Sequence, residues 1–186
     1  MSGTSAPRPA MVDLMGPSRD RAIDALKQSF TGIYRWHAKR TLRDIASVRA
    51  IEIDGAVAGV AMTELLAPEV AYVYYLFVAT AHRGHRLAGV LLDDALARFR
   101  QARAVVAYAA CEEGNVPSLR LFRSRGFRLV ERDEPGFRDG GLGAWGYRSR
   151  MRIVPGEVLL GVRLGSPDSP APSERGSSPP TAAADR

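Results

Sequence analysis

The spacing of apolar residues along the chain changes repeatedly between the helical and the strand period. From Ser18, a residue suited to cap a helix, to Phe30, apolar residues recur at helical spacing and predict a first helix. Residues 34–45 predict a second helical segment. Residues 48–65 then form two apolar runs around an Asp-Gly pair, which favours the type I′ turn of a β-hairpin.

The second half of the chain repeats this change of period. Residues 70–79 are β-branched or aromatic on both faces, as expected of a buried central strand. The further predicted elements are helices over 87–99 and 115–126 and strands over 103–111, 127–132 and 144–153. Residues 156–164 fit either an edge strand or a short helix. The order α-α-β-β-β-α-β-α-β-β predicts an α/β domain with a mostly antiparallel sheet.

Composition limits the number of domains and the compartment. With 186 residues, of which 46 % are apolar and 25 % charged, the chain predicts one globular domain over residues 11–164. The small and Pro-rich residues 1–10 and the Pro/Ser/Ala-rich tail 165–186 are predicted to be disordered. No apolar run approaches the ~20 residues of a membrane span, and the N-terminus lacks a signal-peptide core. We therefore expect a cytoplasmic protein without membrane contact.

Charge and cysteine content exclude further classes. The single cysteine, Cys111, excludes an internal disulfide framework and offers no metal-ligand spacing, so no metal site is expected. The net charge of +6 comes mainly from arginines spread along the whole chain. Because no Lys/Arg block with interleaved aromatic residues is present, we expect anionic small ligands rather than nucleic acid.

The turn between the strand 70–79 and the following helix is a candidate anion site. It contains Arg83, Gly84, His85 and Arg86. A glycine-bearing turn before a helix leaves backbone N–H groups at the positive end of the helix dipole, which suits a phosphate. The two arginines add formal charge, whereas His85 fits either a phosphate ligand or a solvated turn residue. Neither the Walker loop nor the dinucleotide fingerprint is present.

Two segments resemble the GCN5-related N-acetyltransferase (GNAT) family. "LFVATAHRGHRLAGVLL" (76–92) is similar to its acetyl-CoA-binding segment, Leu-x-Val followed by Arg/Gln-x-x-Gly-x-Gly/Ala. "NVPSLRLFRSRGF" (115–127) is similar to the segment that follows it in the family, Asn-x-x-(Ala/Ser)-x-x-Leu-Tyr-x-x-x-Gly-Phe. The resemblance implies a GNAT-type mixed, mostly antiparallel twisted sheet flanked by helices, with a splayed central strand pair.

The resemblance also implies acetyl-CoA as co-substrate and assigns residues to its binding. Strand residues would pair with the pantetheine arm, amides of the turn would hold the pyrophosphate, and Asn115 would bind the arm from the opposite wall. A strand amide near Phe77 or Val78 would stabilise the negative charge that develops on the thioester oxygen. The implied cofactor-binding residues are Leu76, Phe77, Val78, Arg83, Gly84, His85, Arg86, Leu87, Ala88, Gly89, Asn115, Ser118 and Phe122.

Two positions depart from the family pattern. Arg86 replaces a glycine of the loop motif, and its amide remains in place if φ there is negative. Phe122 replaces the tyrosine that protonates the leaving thiolate in the family. The proton must then come from another group or from water, or the thiol, with a pKa of ~8.5, leaves unprotonated.

Attack by an amine needs a base, and the sequence offers carboxylates near predicted strand ends at Glu64, Glu69, Glu112 and Glu113. Of the three that we select as candidates, Glu112 and Glu113 directly precede the second motif, and Glu64 ends the hairpin strand. Glu112 and Glu113 are also consistent with solvated loop carboxylates. The acceptor would border Tyr34, Trp36, Phe137 and Trp145, while Arg35, His37 and Lys39 would suit an acidic acceptor.

These observations predict an N-acetyltransferase that moves an acetyl group from acetyl-CoA to a primary amine by direct attack. The amine could belong to a small molecule or a protein, and sheet edges near residues 145–162 could form a homodimer. Phe122 supports an alternative, a CoA-binding sensor or partner module with weak or no catalysis.

Overall fold

The computed structural model of the protein describes residues 9–130 and 147–165. Seven strands form one sheet in the order β1-β2-β3-β4-β5-β7-β6. The strands are β1 (Ala10–Asp13), β2 (Ser47–Ile53), β3 (Ala56–Ala67), β4 (Val70–Val78), β5 (Val106–Glu112), β6 (Arg128–Leu129) and β7 (Glu157–Arg163). Among these strands only the β4–β5 pair is parallel, so the sheet is mixed and mostly antiparallel, as predicted.

Helices cover both faces of this sheet. They are α1 (Ile23–Ser29), α2 (Gly32–Asp44), α3 (Leu87–Gln101), α4 (Val116–Arg123) and α5 (Arg148–Met151), with 3₁₀ turns at Gly16–Ala22 and Thr80–His82. No helix in the described residues is long and apolar enough to cross a lipid bilayer.

Alternation along the central strands builds two cores. On β3, Val60 and Met62 are buried with residues of α1 and α2, whereas Ala61 between them packs against α3 on the other face. This is the two-residue period of a strand that is buried on both sides. A further core joins α3 and α4 to β5 through Leu96 and Phe122. The two helix layers therefore hold the sheet from opposite faces.

The centre of the sheet opens where β4 and β5 part. The two strands pair only over Val70–Val73 and Val106–Ala109. Beyond this point β4 continues beside β3 alone, and β5 continues beside β7 alone. In the β3–β4 register, Tyr74 is the extra residue of a β-bulge, a feature that bends a strand away from its neighbour. The splayed central pair expected from the family resemblance is therefore present.

Several element predictions are wrong or incomplete. The sequence does not predict β1, and the helix from Ser18 is divided into a 3₁₀ turn and α1. The strand predicted over 144–153 is wrong where it can be compared, because residues 148–151 form α5. Residues 157–163 form a strand, but it lies inside the sheet between β5 and β6 rather than at an edge. Of the termini predicted to be disordered, 1–10 and 165–186, residues 1–8 and 166–186 lie outside the described residues, whereas Ala10 begins β1.

Candidate active site

The turn before α3 presents free backbone amides. Within the described part of the chain, none of the amides of residues 84–88 donates to a backbone carbonyl. Gly84 has a φ of +82°, which glycine adopts at little cost. These amides lie at the N-terminal end of α3, where the helix dipole is positive. The local structure therefore agrees with the predicted anion site.

Arg86 departs from the expected backbone conformation. Its φ is +59°, so the negative φ on which the expected position of its amide depends is not present. An arginine here occupies the left-handed region that the family's glycine adopts freely. The amide still lies in the turn, but the side chain is held there at a cost in backbone energy.

The side chains of the turn divide between ligand-facing and structural roles. Arg83 and Arg86 line an outer cavity of about 790 Å³. The Nδ1 atom of His85 lies 3.0 Å from the carbonyl oxygen of Arg83, so it acts as a hydrogen-bond donor to the turn itself. Leu87 is buried against the sheet, which leaves only its backbone available to a ligand.

Gly89 allows a third arginine to approach the start of α3. A Cβ atom at Gly89 would lie 2.6 Å from an Nη atom of Arg125. Two hydrogen bonds of 3.0 Å to Asp93 hold the Arg125 guanidinium in this place. Ala88, Gly89 and Arg125 all line the outer cavity, which therefore has three cationic side chains near its free amides.

The exposed edge of β4 forms one wall of the outer cavity. The amide of Ala79 donates to Ala58 on β3, and main-chain groups alternate in direction along a strand. The N–H and C=O groups of Leu76 and Val78 therefore face the gap between β4 and β5. Those of Phe77 face β3, so the expectation that its main chain faces a ligand is wrong.

Helix α4 supplies the opposite wall. The Asn115 side chain caps this helix by accepting a hydrogen bond of 3.2 Å from the Ser118 amide. Both residues line the outer cavity and also the inner cavity described next. The cleft is thus continuous from the turn before α3 to the interior of the sheet.

The inner cavity, of about 310 Å³, lies in the gap between β4 and β5. The residues that line it are Ser29, Phe30, Thr31, Tyr34, Val73, Tyr74, Tyr75, Leu76, Ala110, Cys111, Glu112, Asn115, Ser118, Phe122 and Glu157. Two of these are carboxylates, three are tyrosines, and none of the described lining residues is Lys, Arg or His. This end of the cleft is therefore acidic and rich in hydroxyl groups.

The structure separates the three predicted carboxylates. Glu112 and the neighbouring Glu113 are both exposed, but only Glu112 lines the inner cavity. Glu64 lies outside it as well, because its carboxylate is engaged by the Tyr74 hydroxyl at 3.0 Å and by Arg150 at 3.5 Å. Only Glu112 is placed to meet an acceptor.

Sequence reasoning did not identify Glu157. It is the Cα partner of Glu112 in the β5–β7 register, and its side chain lines the same cavity. Burial and the charge of Glu112 raise the pKa of Glu157 above its ordinary value, although a 2.9 Å hydrogen bond from the Val154 amide acts in the opposite direction. A carboxylate at the start of residues 156–164 could have been noticed only if that segment had been identified as a strand next to β5.

Tyrosines complete the lining. Burial, a hydrogen bond to Glu112 and the charge of Glu157 raise the pKa of Tyr34. Tyr75 packs edge-on against Phe30, with ring centroids 5.3 Å apart, and burial raises its pKa to about 12. These hydroxyls remain protonated at neutral pH and can donate hydrogen bonds.

Phe122 and Cys111 are the apolar part of the lining. Phe122 is 5 % exposed and packs against Phe127 with ring centroids 5.0 Å apart. It carries no proton to donate at the position where the family has tyrosine. Burial raises the pKa of Cys111 to about 11, so its thiol is neutral and poorly nucleophilic.

The predicted cationic acceptor wall is not formed by α2. Arg35 donates hydrogen bonds to the carbonyl oxygens of Phe30 and Lys27 and thus closes the end of α1. Trp36 is 57 % exposed and lies outside the cavity lining. Tyr34 does line the cavity, whereas residues 137 and 145 fall outside the described residues.

Comparison with known proteins identifies the family of the chain. A family model described as "Acetyltransferase (GNAT) family" matches residues 17–127, which is more than half of the chain. No curated protein matches the chain by sequence.

Solved structures similar to the chain share its fold. The ribosomal-protein-S18-alanine N-acetyltransferase from Escherichia coli is 12 % identical, with a TM-score of 0.63 over 84 % of this chain and 94 % of that one. An acetyltransferase from Bacillus subtilis in complex with CoA is 16 % identical, with a TM-score of 0.59 over 84 % and 98 %. A GNAT family acetyltransferase from Elizabethkingia anophelis with acetyl-CoA bound is 14 % identical, with a TM-score of 0.59 over 83 % and 97 %. The chain belongs to the GNAT acetyltransferase family.

Proposed function

We propose that this protein transfers an acetyl group from acetyl-CoA to a primary amine by direct attack. The observation that supports this most is the continuous cleft between β4 and β5. It begins at the free amides and arginines before α3 and ends at the carboxylates of the inner cavity. Such a cleft binds an anion at one end and an amine at the other.

The outer cavity fits acetyl-CoA mainly through main-chain groups. The amides of residues 84–88 and the side chains of Arg83 and Arg86 would hold the pyrophosphate. The main-chain groups of Leu76 and the N–H of Val78 would pair with the amide-bearing pantetheine arm, in the place of a neighbouring strand, whereas the Val78 carbonyl accepts hydrogen bonds from the Arg83 and Ser29 side chains. Asn115 would contact this arm from α4.

At the reacting end, Glu112 would accept the proton of the acceptor. The amine nitrogen forms a bond to the acetyl carbon, the carbon–sulfur bond breaks, and the nitrogen proton passes to the Glu112 carboxylate. The free N–H of Leu76 or Val78 would stabilise the negative charge that develops on the acetyl oxygen. Because Phe122 has no proton, the sulfur departs as thiolate and takes its proton from water.

The charge of the inner cavity points to the class of acceptor. Its described lining has two carboxylates and no cationic side chain, so an ammonium group is attracted and a carboxylate or phosphate is repelled. The acidic lining replaces the expectation of an acidic acceptor, which depended on Arg35, His37 and Lys39. We expect amines without an acidic group near the nitrogen to be the better substrates.

The experiment follows thiol release from acetyl-CoA with a panel of primary amines, together with mass spectrometry of the product. Glu112→Gln should lower kcat by about 10²-fold while acetyl-CoA still binds, since it removes the base but not the outer cavity. Glu113→Gln changes the adjacent, exposed carboxylate and should have no effect. Equal losses in both variants, or none in either, would contradict the assignment.

A second candidate function rests on the buried Phe122. A CoA-binding sensor would bind acetyl-CoA in the same outer cavity without turnover. Saturable binding of acetyl-CoA combined with no amine-dependent thiol release across the whole panel would favour this candidate.

A further inference from the structure

We infer that Glu157 and Glu112 act together as one proton-accepting pair. This inference depends on the proposed function, which makes the inner cavity the acceptor site. It adds a residue of β7 to a reaction otherwise assigned to β4, β5 and the start of α3. It also gives a reason why the acceptor site contains two carboxylates rather than one.

The strand register brings the two side chains together. Glu112 and Glu157 are the terminal Cα partners of the β5–β7 pair. Directly opposite residues of antiparallel strands have Cβ atoms about 4.5–5.5 Å apart, and both side chains then lie on the same face. Both residues line the inner cavity, so the two side chains lie at the same end of the cleft.

No cation neutralises the pair from within the described cavity lining. The titratable neighbours of Glu157 are Glu112 and Cys111 on β5, Tyr72 and Tyr75 on β4, and Tyr34 on α2. Arg152 and Arg123 act on Tyr75 and Cys111 respectively, and neither arginine lines the cavity. Every neighbour of Glu157 that lines the cavity is thus neutral or acidic near pH 7.

Two like charges in such a place cannot both form freely. Repulsion between close carboxylates makes the ionisation of the second one harder than that of a lone glutamate. Burial of Glu157 and the charge of Glu112 both raise the pKa of Glu157. The Val154 amide donates a hydrogen bond of 2.9 Å to Glu157 and holds its carboxylate in place.

The pair would receive the substrate as a cation and then take its proton. The acceptor enters as an ammonium ion, which the negative charge of the pair attracts. The first nitrogen proton passes to the pair, and the free electron pair on nitrogen attacks the acetyl carbon. The carbon–sulfur bond then breaks, the sulfur departs as thiolate, and the nitrogen loses its second proton to water. Because a base is most effective when its pKa lies close to the working pH, the raised pKa of Glu157 favours proton transfer to the pair.

The pH profile of kcat/KM tests this inference. In the wild-type protein the rate should rise with pH until both carboxyl groups are ionised. In Glu157→Gln the neighbour of Glu112 is neutral, so the rising limb should move to lower pH by about one pH unit and the plateau should fall by about tenfold. Glu113→Gln should leave both features unchanged. A rising limb at the same pH in Glu157→Gln would overturn the inference.

A second readout does not require activity. Carbon-13 NMR of the glutamate carboxyl groups should show one group that titrates above the ordinary glutamate range, and Glu112→Gln should return it toward that range. If this titration is seen but no amine is acetylated, the coupling of the two carboxyl groups stands and the proposed function fails. If both carboxyls titrate in the ordinary range, the pair is refuted whatever the activity.

Discussion

Arg86 shows how a single residue can serve binding at a cost to the fold. Its φ of +59° lies where side chains crowd the backbone, at roughly 1–2 kcal/mol for residues other than glycine. Its guanidinium nevertheless lines the outer cavity beside the free amides. The charge therefore favours the ligand, and the backbone conformation opposes folding.

We expect Arg86→Gly to separate these two effects. The free energy of unfolding should rise by about 0.5–1 kcal/mol, because glycine relieves the left-handed strain but loses more entropy on folding. The affinity for acetyl-CoA should fall, because one charge near the phosphates is lost. The control Ala97→Gly, on the exposed face of α3, should instead cost about 1 kcal/mol. Urea unfolding checks both values, and a loss of stability in Arg86→Gly would contradict the account.

Phe122 is the second residue whose identity sets a property of the site. Phe122→Tyr would place a hydroxyl at the wall of the inner cavity, where the leaving sulfur lies in the proposed reaction. We expect kcat to rise by about tenfold, less than a general acid usually gives, because a thiol with a pKa of ~8.5 leaves readily without help.

Steady-state thiol release measures this change. Phe127→Tyr is the matched control, since that ring packs against Phe122 but lies outside the cavity lining, and it should not raise kcat. An unchanged or lower kcat in a folded Phe122→Tyr protein would show that thiolate protonation does not limit the reaction.

At the scale of elements, the outer cavity depends on how α3 and α4 meet. The absence of a side chain at Gly89 lets Arg125 extend across the start of α3, where Asp93 holds it. The approach of α3 and α4, which are distant in sequence, thus places the Arg125 cation at the phosphate-binding end of the outer cavity.

Gly89→Ala should displace the Arg125 guanidinium while α3 remains intact. The new Cβ atom meets the far end of a flexible side chain, and alanine favours a helix more than glycine does. We expect acetyl-CoA affinity to fall by up to about tenfold in Gly89→Ala and in Arg125→Ala, the value of one charged hydrogen bond. In the double variant the two losses should not add, and additive losses would show that Gly89 acts independently of Arg125.

The elements also show where sequence reasoning succeeds and where it fails. Long periodic segments such as α3 and β4, and the two motifs, were identified because local pattern and local structure agree. β1 has four residues and pairs with β2 at the edge of the sheet, so its place depends on distant residues and no local pattern marks it. Glu157 could not be assigned because its role comes from a strand register with β5, which sequence spacing does not contain. The orientation of Leu76 and Val78 likewise depends on which groups β3 already occupies.

At the scale of the whole molecule, the cleft is electrically polarised. Three arginines lie at the outer end and two carboxylates at the inner end, in a protein with a net charge of +6. The outer end attracts an anionic co-substrate, and the inner end attracts a cationic amine. The opposite ends of one gap in the sheet thus bring the two reactants to the point where β4 and β5 part.

The most direct test of this account is a calorimetric titration of the protein with acetyl-CoA. We expect saturable one-to-one binding that weakens at least about tenfold in Ser118→Trp, whose side chain would fill the cleft, as expected when one strong contact or more is lost. Arg120→Trp, on the exposed side of the same helix, should bind as the wild-type protein does. Absence of binding, or equal binding by wild type and Ser118→Trp, would contradict the placement of acetyl-CoA between β4 and β5.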